Sequence, residues 1–154
     1  FDWRISIAEV AAGGPFSSFP GVDRVLTVIA GEGLSLAIDG RPAVVLGAAS
    51  PPLAFSGEAR CEAALRAGPI RDLNVMVRRG GWRAEVRRRS LHADEAIACG
   101  PGLTLLLALE SVGVSWAGGT TRLGPEDAIL MGTGARVSVE APARTIVADL
   151  VRNA

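Results

Sequence analysis

The sequence predicts an all-β fold of the sandwich or barrel type. Three observations point there: apolar and polar residues alternate at period two, the apolar stretches are short, and Gly or Pro separates most of them. Trp3-Arg4-Ile5-Ser6-Ile7 alternates and reads as a strand. The following "GPFSSFPGVDR", Gly14 to Arg24, reads as a shaped loop, because Pro15 and Pro20 fix φ and lack a donor while Gly14 and Gly21 supply backbone freedom. It holds Phe16 and Phe19 in a chain that is only 5% aromatic, so it is expected to cover something. Arg24 to Ala30 is a mostly apolar run, and Leu34 to Ile38 leads into Asp39-Gly40, a hairpin turn signal. Further strands are expected at Ala43 to Leu46, Pro52 to Phe55, Leu73 to Val77, Trp82 to Arg87 and Thr104 to Leu109. Val112 to Trp116, Ala128 to Met131, Arg136 to Val139 and Thr145 to Val151 complete the set. One short helix is expected over Ser90 to Cys99, with Gly100 after it.

Composition excludes several function classes. At 154 residues the chain has the length of one ordinary domain and can bury a sizeable core without a structural metal. Sixteen basic residues balance sixteen acidic ones, so net charge asks for neither nucleic acid nor an anionic membrane. No apolar run reaches the roughly 20 residues of a membrane span. Cys61 and Cys99 suggest a reducing cytoplasm more than a disulfide framework, which leaves their pairing open. All basic residues are arginine and tyrosine is absent, which rules out Schiff-base lysines, phosphate-loop lysines and tyrosine acids. The one histidine, His92, and the two cysteines have no zinc-ligand spacing, so no metal or other cofactor is expected. The arginines from Arg78 to Arg89 partly alternate in "WRAEVRRR", which fits a solvated strand face and edge protection better than a nucleic-acid stripe.

A weak internal repeat sharpens the fold. "LTVIAGEGLSLAIDGRPAVVL" from Leu26 and "LLLALESVGVSWAGGTTRL" from Leu105 share the order apolar strand, Glu-containing turn, alternating strand, tight Gly turn, strand. That order is similar to a cupin barrel, so the 154 residues read as one unit with halves at about 1–89 and 90–154. Metal-binding cupins carry a histidine cluster that is absent here, so a metal-free barrel is expected. "WRISIAEV" at Trp3 to Val10, "GPFSSFPGVDR", "FSGE" at Phe55 to Glu58 and "GPIRDLNVMVRRG" at Gly68 to Gly80 then resemble, in this order, the signatures of the HutD/Ves family of bacterial proteins. They cover about the first half of the chain. The resemblance implies a cupin-like (RmlC-like jelly roll) fold and an accessory or regulatory role beside histidine catabolism or in a stress response, with no established reaction. Family members usually begin with a further strand carrying a Trp-Lys-Asn-Gly-Gly-Gly motif, so with Phe1 in place of methionine an initial segment is expected to precede this chain.

Strand alternation nominates site residues. Arg4 and Ser6 share one face of their strand, and Asp72, Asn74 and Met76 share one face of theirs. On residue type alone a solvent-facing role for these polar groups is the commoner outcome; the family resemblance favours a lumen, and an asparagine within an apolar strand suits a lumen with a polar ligand. Arg24, at the loop exit beside Asp23, is either a bidentate clamp for a small organic acid or a structural ion pair, for example with Asp72. Phe16 and Phe19, with Ser17 between them, either plug the core at one barrel end or form a lid. The expected ligand set is therefore Arg4, Ser6, Phe16, Ser17, Phe19, Asp23, Arg24, Asp72, Asn74 and Met76. The expected partner is a small organic acid such as urocanate or a formylated glutamate. Two alternatives stay open: an isomerase or hydrolase using Asp23, Asp72 or His92, and an interaction module without a ligand. The mean hydropathy of +0.32 is compatible with a homodimer through sheet faces.

Overall fold

A computed structural model describes residues 1–154 as sixteen strands with no helix. None of it is a helix long and apolar enough to cross a membrane. The chain divides into two compact units, Phe1–Arg83 and Ala84–Ala154.

In unit 1, β1 (Trp3–Val10), β8 (Ile70–Arg78), β3 (Val22–Ala30) and β6 (Leu53–Ser56) form one antiparallel sheet in that order. The second sheet runs β2 (Gly14–Pro15), β7 (Cys61–Leu65), β4 (Leu34–Ile38), β5 (Val44–Leu46). Their inner faces meet in a core of Leu26, Val28, Leu34, Leu36, Leu46, Cys61, Ala63 and Ile70, with Phe16, Leu53 and Phe55 packed against it. Apolar residues from both sheets interdigitate, as in any sandwich.

Unit 2 repeats this wiring. Its first sheet runs β9 (Trp82–Leu91, which opens two residues before the unit boundary), β16 (Ala143–Arg152), β11 (Leu103–Ala108), β14 (Ala128–Gly132). Its second runs β10 (Ala96–Ala98), β15 (Arg136–Val139), β12 (Val112–Trp116), β13 (Gly119–Leu123). Adding eight to each strand number of unit 1 reproduces the sheet orders of unit 2. The two stretches that look alike in sequence are β3-β4-β5 and β11-β12-β13, which hold equivalent places in the two jelly rolls.

One expectation is corrected, and one strand stands where none was expected. Ser90 to Cys99 is not a helix: β9 ends at Leu91, the His92–Glu95 turn closes with Asp94 at φ 64°, and β10 follows. Glu95 N–H donates to the His92 carbonyl and the Glu95 carboxylate accepts from His92 N–H, so local hydrogen bonds favour the turn over a helix. β7, "CEAAL", has helix-favouring residues and no strand signal, yet it pairs along its whole length with β4. Tertiary pairing overrides propensity there.

The β3–β4 connection depends on Gly33. It has φ +94° and an added Cβ would stand 2.3 Å from the Leu46 carbonyl oxygen of β5. Gly33→Ala should therefore cost at least roughly 1–3 kcal/mol from the backbone conformation alone, visible as a drop of several degrees in the unfolding midpoint. An unchanged midpoint would show that this turn relaxes freely.

Candidate functional site

The register of the first sheet of unit 1 builds the site. Across β1 and β8, Arg4 pairs with Met76, Ser6 with Asn74 and Ala8 with Asp72. Across β8 and β3, Met76 pairs with Arg24, Asn74 with Leu26 and Asp72 with Val28. Side chains at directly opposed positions share a face, so Arg4, Ser6, Arg24, Asp72, Asn74 and Met76 all point inward. They line a cavity of about 470 Å³, closed on another side by the segment Val10 to Phe19 with Phe16, Ser17 and Phe19. Nine of the ten residues named from the sequence are thus brought together.

Asp23 is the exception and is corrected. β3 starts at Val22 rather than at Arg24, so Asp23 and Arg24 are neighbours within one strand and face opposite ways. Asp23 instead accepts from Arg79 Nε at 2.8 Å on the other side of the sheet. Of the three candidate acids or bases, Asp72 is in the cavity, Asp23 is on the opposite face of its sheet, and His92 belongs to a turn of unit 2.

Arg24 is the centre of the cavity's chemistry. It is only 7% exposed, and its guanidinium carbon lies 5.0 Å from the Phe16 ring centroid, 5.4 Å from Phe55 and 6.0 Å from Phe19. Each such contact contributes about 0.5–2 kcal/mol, more as water is excluded. Arg24 Nε donates to Asn74 Oδ1 at 2.7 Å, and Asn74 Nδ2 donates in turn to Asp72 Oδ1. Arg24 and Asp72 form no direct ion pair, because Asn74 stands between them. The terminal nitrogens of Arg24 make no hydrogen bond within the chain. A guanidinium with its faces on rings and its Nε engaged keeps one edge for an incoming acceptor.

The loop is held so that its rings reach Arg24. Phe16 N–H donates to the Cys61 carbonyl at 3.1 Å and Phe19 N–H to the Gly57 carbonyl at 2.8 Å. Gly57 has no room for a side chain, since a Cβ would stand 2.6 Å from the Phe19 carbonyl oxygen. Next to it, Arg79 clasps Glu58 Oε1 at 2.7 Å, Ser56 Oγ at 2.8 Å, the Val22 carbonyl and Asp23. That hydrogen bonding holds the Glu58 carboxyl down at about 2. Phe55, Gly57, Glu58 and Arg79 are site-supporting residues that residue-by-residue reading missed, although they stand in the quoted "FSGE" and "RDLNVMVRRG" stretches.

Electrostatics follow burial. Desolvation lowers the pKa of Arg24 against the charge of Asp72, and raises that of the buried Cys61 against the charge of Arg24. Asp72 is pushed up to about 6, chiefly by burial, opposed by the charge of Arg24 and the hydrogen bond from Asn74. No three His, Cys, Asp or Glu side chains converge in the chain, so these residues do not fit a resident metal centre of the histidine-cluster kind. Unit 2 has a larger cavity of about 710 Å³, lined mainly by apolar groups such as Ile129, Leu130, Met131 and Val137 with Trp116 beside them. It has no buried charge, and the unit 1 cavity is the chemically equipped one.

Fold and cavity together define a protein of cupin-like fold made of two jelly rolls, one of which has a cavity lined by a buried guanidinium. The HutD family model matches residues 1–148, and the chain belongs to the HutD family. An uncharacterized 21.2 kDa protein from the hutC 3′ region of Pseudomonas putida is 34% identical over 154 residues, with 98% of this chain and 80% of that protein covered. HutD from Pseudomonas fluorescens SBW25, solved in a formate condition, matches with 29% identity and a TM-score of 0.83, covering 100% of this chain and 81% of that one. Protein Ves of Citrobacter koseri is 40% identical over 89 residues, 56% of this chain, and this chain spans 46% of it. A cupin 2 conserved barrel domain protein from Leptotrichia buccalis is similar in fold alone, at 11% identity and a TM-score of 0.65, covering 99% of this chain and 84% of that one.

The raised Asp72 carries a sign. It binds its proton more tightly in the folded chain than in the unfolded one, whose carboxyl titrates near 3.8. Stability from this group is complete below about pH 4 and is lost as the pH rises through about 6. Asp72→Asn removes that dependence, so the stability of the variant relative to the parent should rise by roughly 2–3 kcal/mol between about pH 4 and about pH 8, read from urea midpoints. A constant difference across that range would show that Asp72 does not titrate there.

Proposed function

We propose that this HutD-family chain binds a small carboxylate metabolite in the unit 1 cavity, without a resident metal, and acts as an accessory or regulatory protein of histidine catabolism. The observation that carries the reading is the buried Arg24, with rings on its faces, Asn74 on its Nε and terminal nitrogens that find no partner in the chain. A desolvated guanidinium is costly unless something meets its donors, and a carboxylate meets two of them in parallel. Arg4, exposed at the rim, adds a second positive charge on the approach. The volume suits a molecule of amino-acid size, at the small end of ligand pockets. The names of its relatives support the pathway, and within it urocanate and formylated glutamate are carboxylates of that size.

The test is thermal unfolding against urocanate, N-formyl-L-glutamate, acetate and propionate. A ligand at a hundred times its dissociation constant adds about 2.7 kcal/mol, which raises the midpoint by several degrees in a domain of this size. Arg24→Gln should abolish the shift, and Arg24→Lys, which keeps the charge but loses the planar fork, should reduce it strongly. A parent protein that no acid stabilises, or variants that keep the full shift, would contradict the proposal.

A further inference from the structure

The carboxylate reading accounts for Arg24 but leaves a second group in the same cavity unanswered. Asp72 is 1% exposed and lines the cavity, and Asn74 Nδ2 meets only one of its two oxygens. The other oxygen accepts nothing within the chain. That oxygen opens only to the cavity, as does the unpartnered edge of Arg24, so a ligand that fills the cavity takes the water from both and must meet them itself. The two groups make opposite demands: Arg24 presents donors and wants an acceptor, while Asp72 presents an acceptor and wants a donor. They do not satisfy each other because Asn74 is wedged between them, its carbonyl on Arg24 and its amide on Asp72. Asn74 is thereby a positioning residue that keeps both demands turned toward the cavity.

We infer that the ligand carries an N–H donor as well as a carboxylate, and that Asp72 selects for that donor. This rests on the carboxylate-binding reading and narrows its substrate class. Arg24 reaches β8 at the level of Asn74, two residues along the strand from Asp72. Two strand steps span about 6.6 Å, so the two functions of the ligand stand a few bonds apart. N-acylated amino acids and acids bearing an azole N–H have this pattern. Plain dicarboxylates do not, and they would place a second negative charge against Asp72.

The test uses amide and ester isosteres, which differ by one N–H exchanged for O. N-acetylglycine, N-acetyl-β-alanine and N-acetyl-γ-aminobutyrate are each titrated by calorimetry against the corresponding acetoxy acid, with acetate and propionate as plain acids. At the best-fitting spacing the amide should bind about 10- to 100-fold tighter than its ester, the range for a hydrogen bond to a charged acceptor. In Asp72→Asn the carboxamide oxygen still accepts from Asn74, so its NH2 takes the place of the free oxygen and the preference should vanish or reverse. Asp72→Ser serves if that variant fails to fold, and there the preference should vanish. Equal binding within all three pairs, with the plain acids still bound, overturns the donor inference and leaves the carboxylate reading standing. An amide preference that survives in the Asp72 variants also overturns it. Absence of binding by every acid overturns both.

Discussion

Burying the guanidinium of Arg24 is the constraint on which the rest of unit 1 depends. A cation is tolerated inside a protein when groups of the chain replace the water on its faces and on part of its donors. Here the faces go to Phe16, Phe19 and Phe55, and Nε goes to Asn74. Each partner is placed by something else: Asn74 by the register of β8 with β1 and β3, Phe16 by the Cys61 carbonyl, Phe19 by the Gly57 carbonyl. The loop that opened the question of what it covers is thus the aromatic lining of a charge. Arg79 fastens the far side, tying Asp23, Ser56 and Glu58 together where the loop enters β3. Three of the sequence signatures that point to the family are parts of this one assembly.

The two units show how a shared fold can differ in chemical demand. In unit 2, Thr104 on β11 is opposite Asp149 on β16, a pairing of the strands equivalent to β3 and β8. Thr104 Oγ1 donates to one oxygen of Asp149, and Arg87 Nη2 donates to the other at 2.5 Å. Arg87 has a further acceptor in Glu85. Both oxygens and the cation are satisfied locally, so this cluster asks nothing of a ligand and reads as structural. In unit 1 the corresponding strands leave a cation edge and a carboxylate oxygen unmet. The two units thus differ in unsatisfied chemistry as well as in cavity size, which is larger in unit 2.

Much of this was legible in the sequence because strand alternation is a strict rule. Arg4 with Ser6, and Asp72 with Asn74 and Met76, share faces by arithmetic alone, and registers bring those faces together. Asp23 was misplaced for the same reason in reverse: a strand beginning two residues earlier puts Arg24 and its neighbour on opposite faces, and element boundaries are weakly encoded. The third ring, Phe55, was unread as a site residue because nothing local tells a core phenylalanine from one that lies over a cation. The Arg79 clasp joins residues far apart in sequence, and exposed arginines carry no local mark of their partners. The turn at Asp94 and strand β7 went unread because local hydrogen bonds and cross-strand pairing decided them against the helix-favouring residues of those segments.

The central claim is that the free edge of Arg24 is the acid-binding group. Nitrogen-15 NMR of the arginine side chains during an acetate titration tests it directly, because each guanidinium reports its own Nε and Nη environments. The account predicts a saturable change at the Nη nitrogens of Arg24, with a smaller change at its Nε, which stays on Asn74. Unperturbed Arg24 resonances, with changes only at exposed arginines, would contradict it.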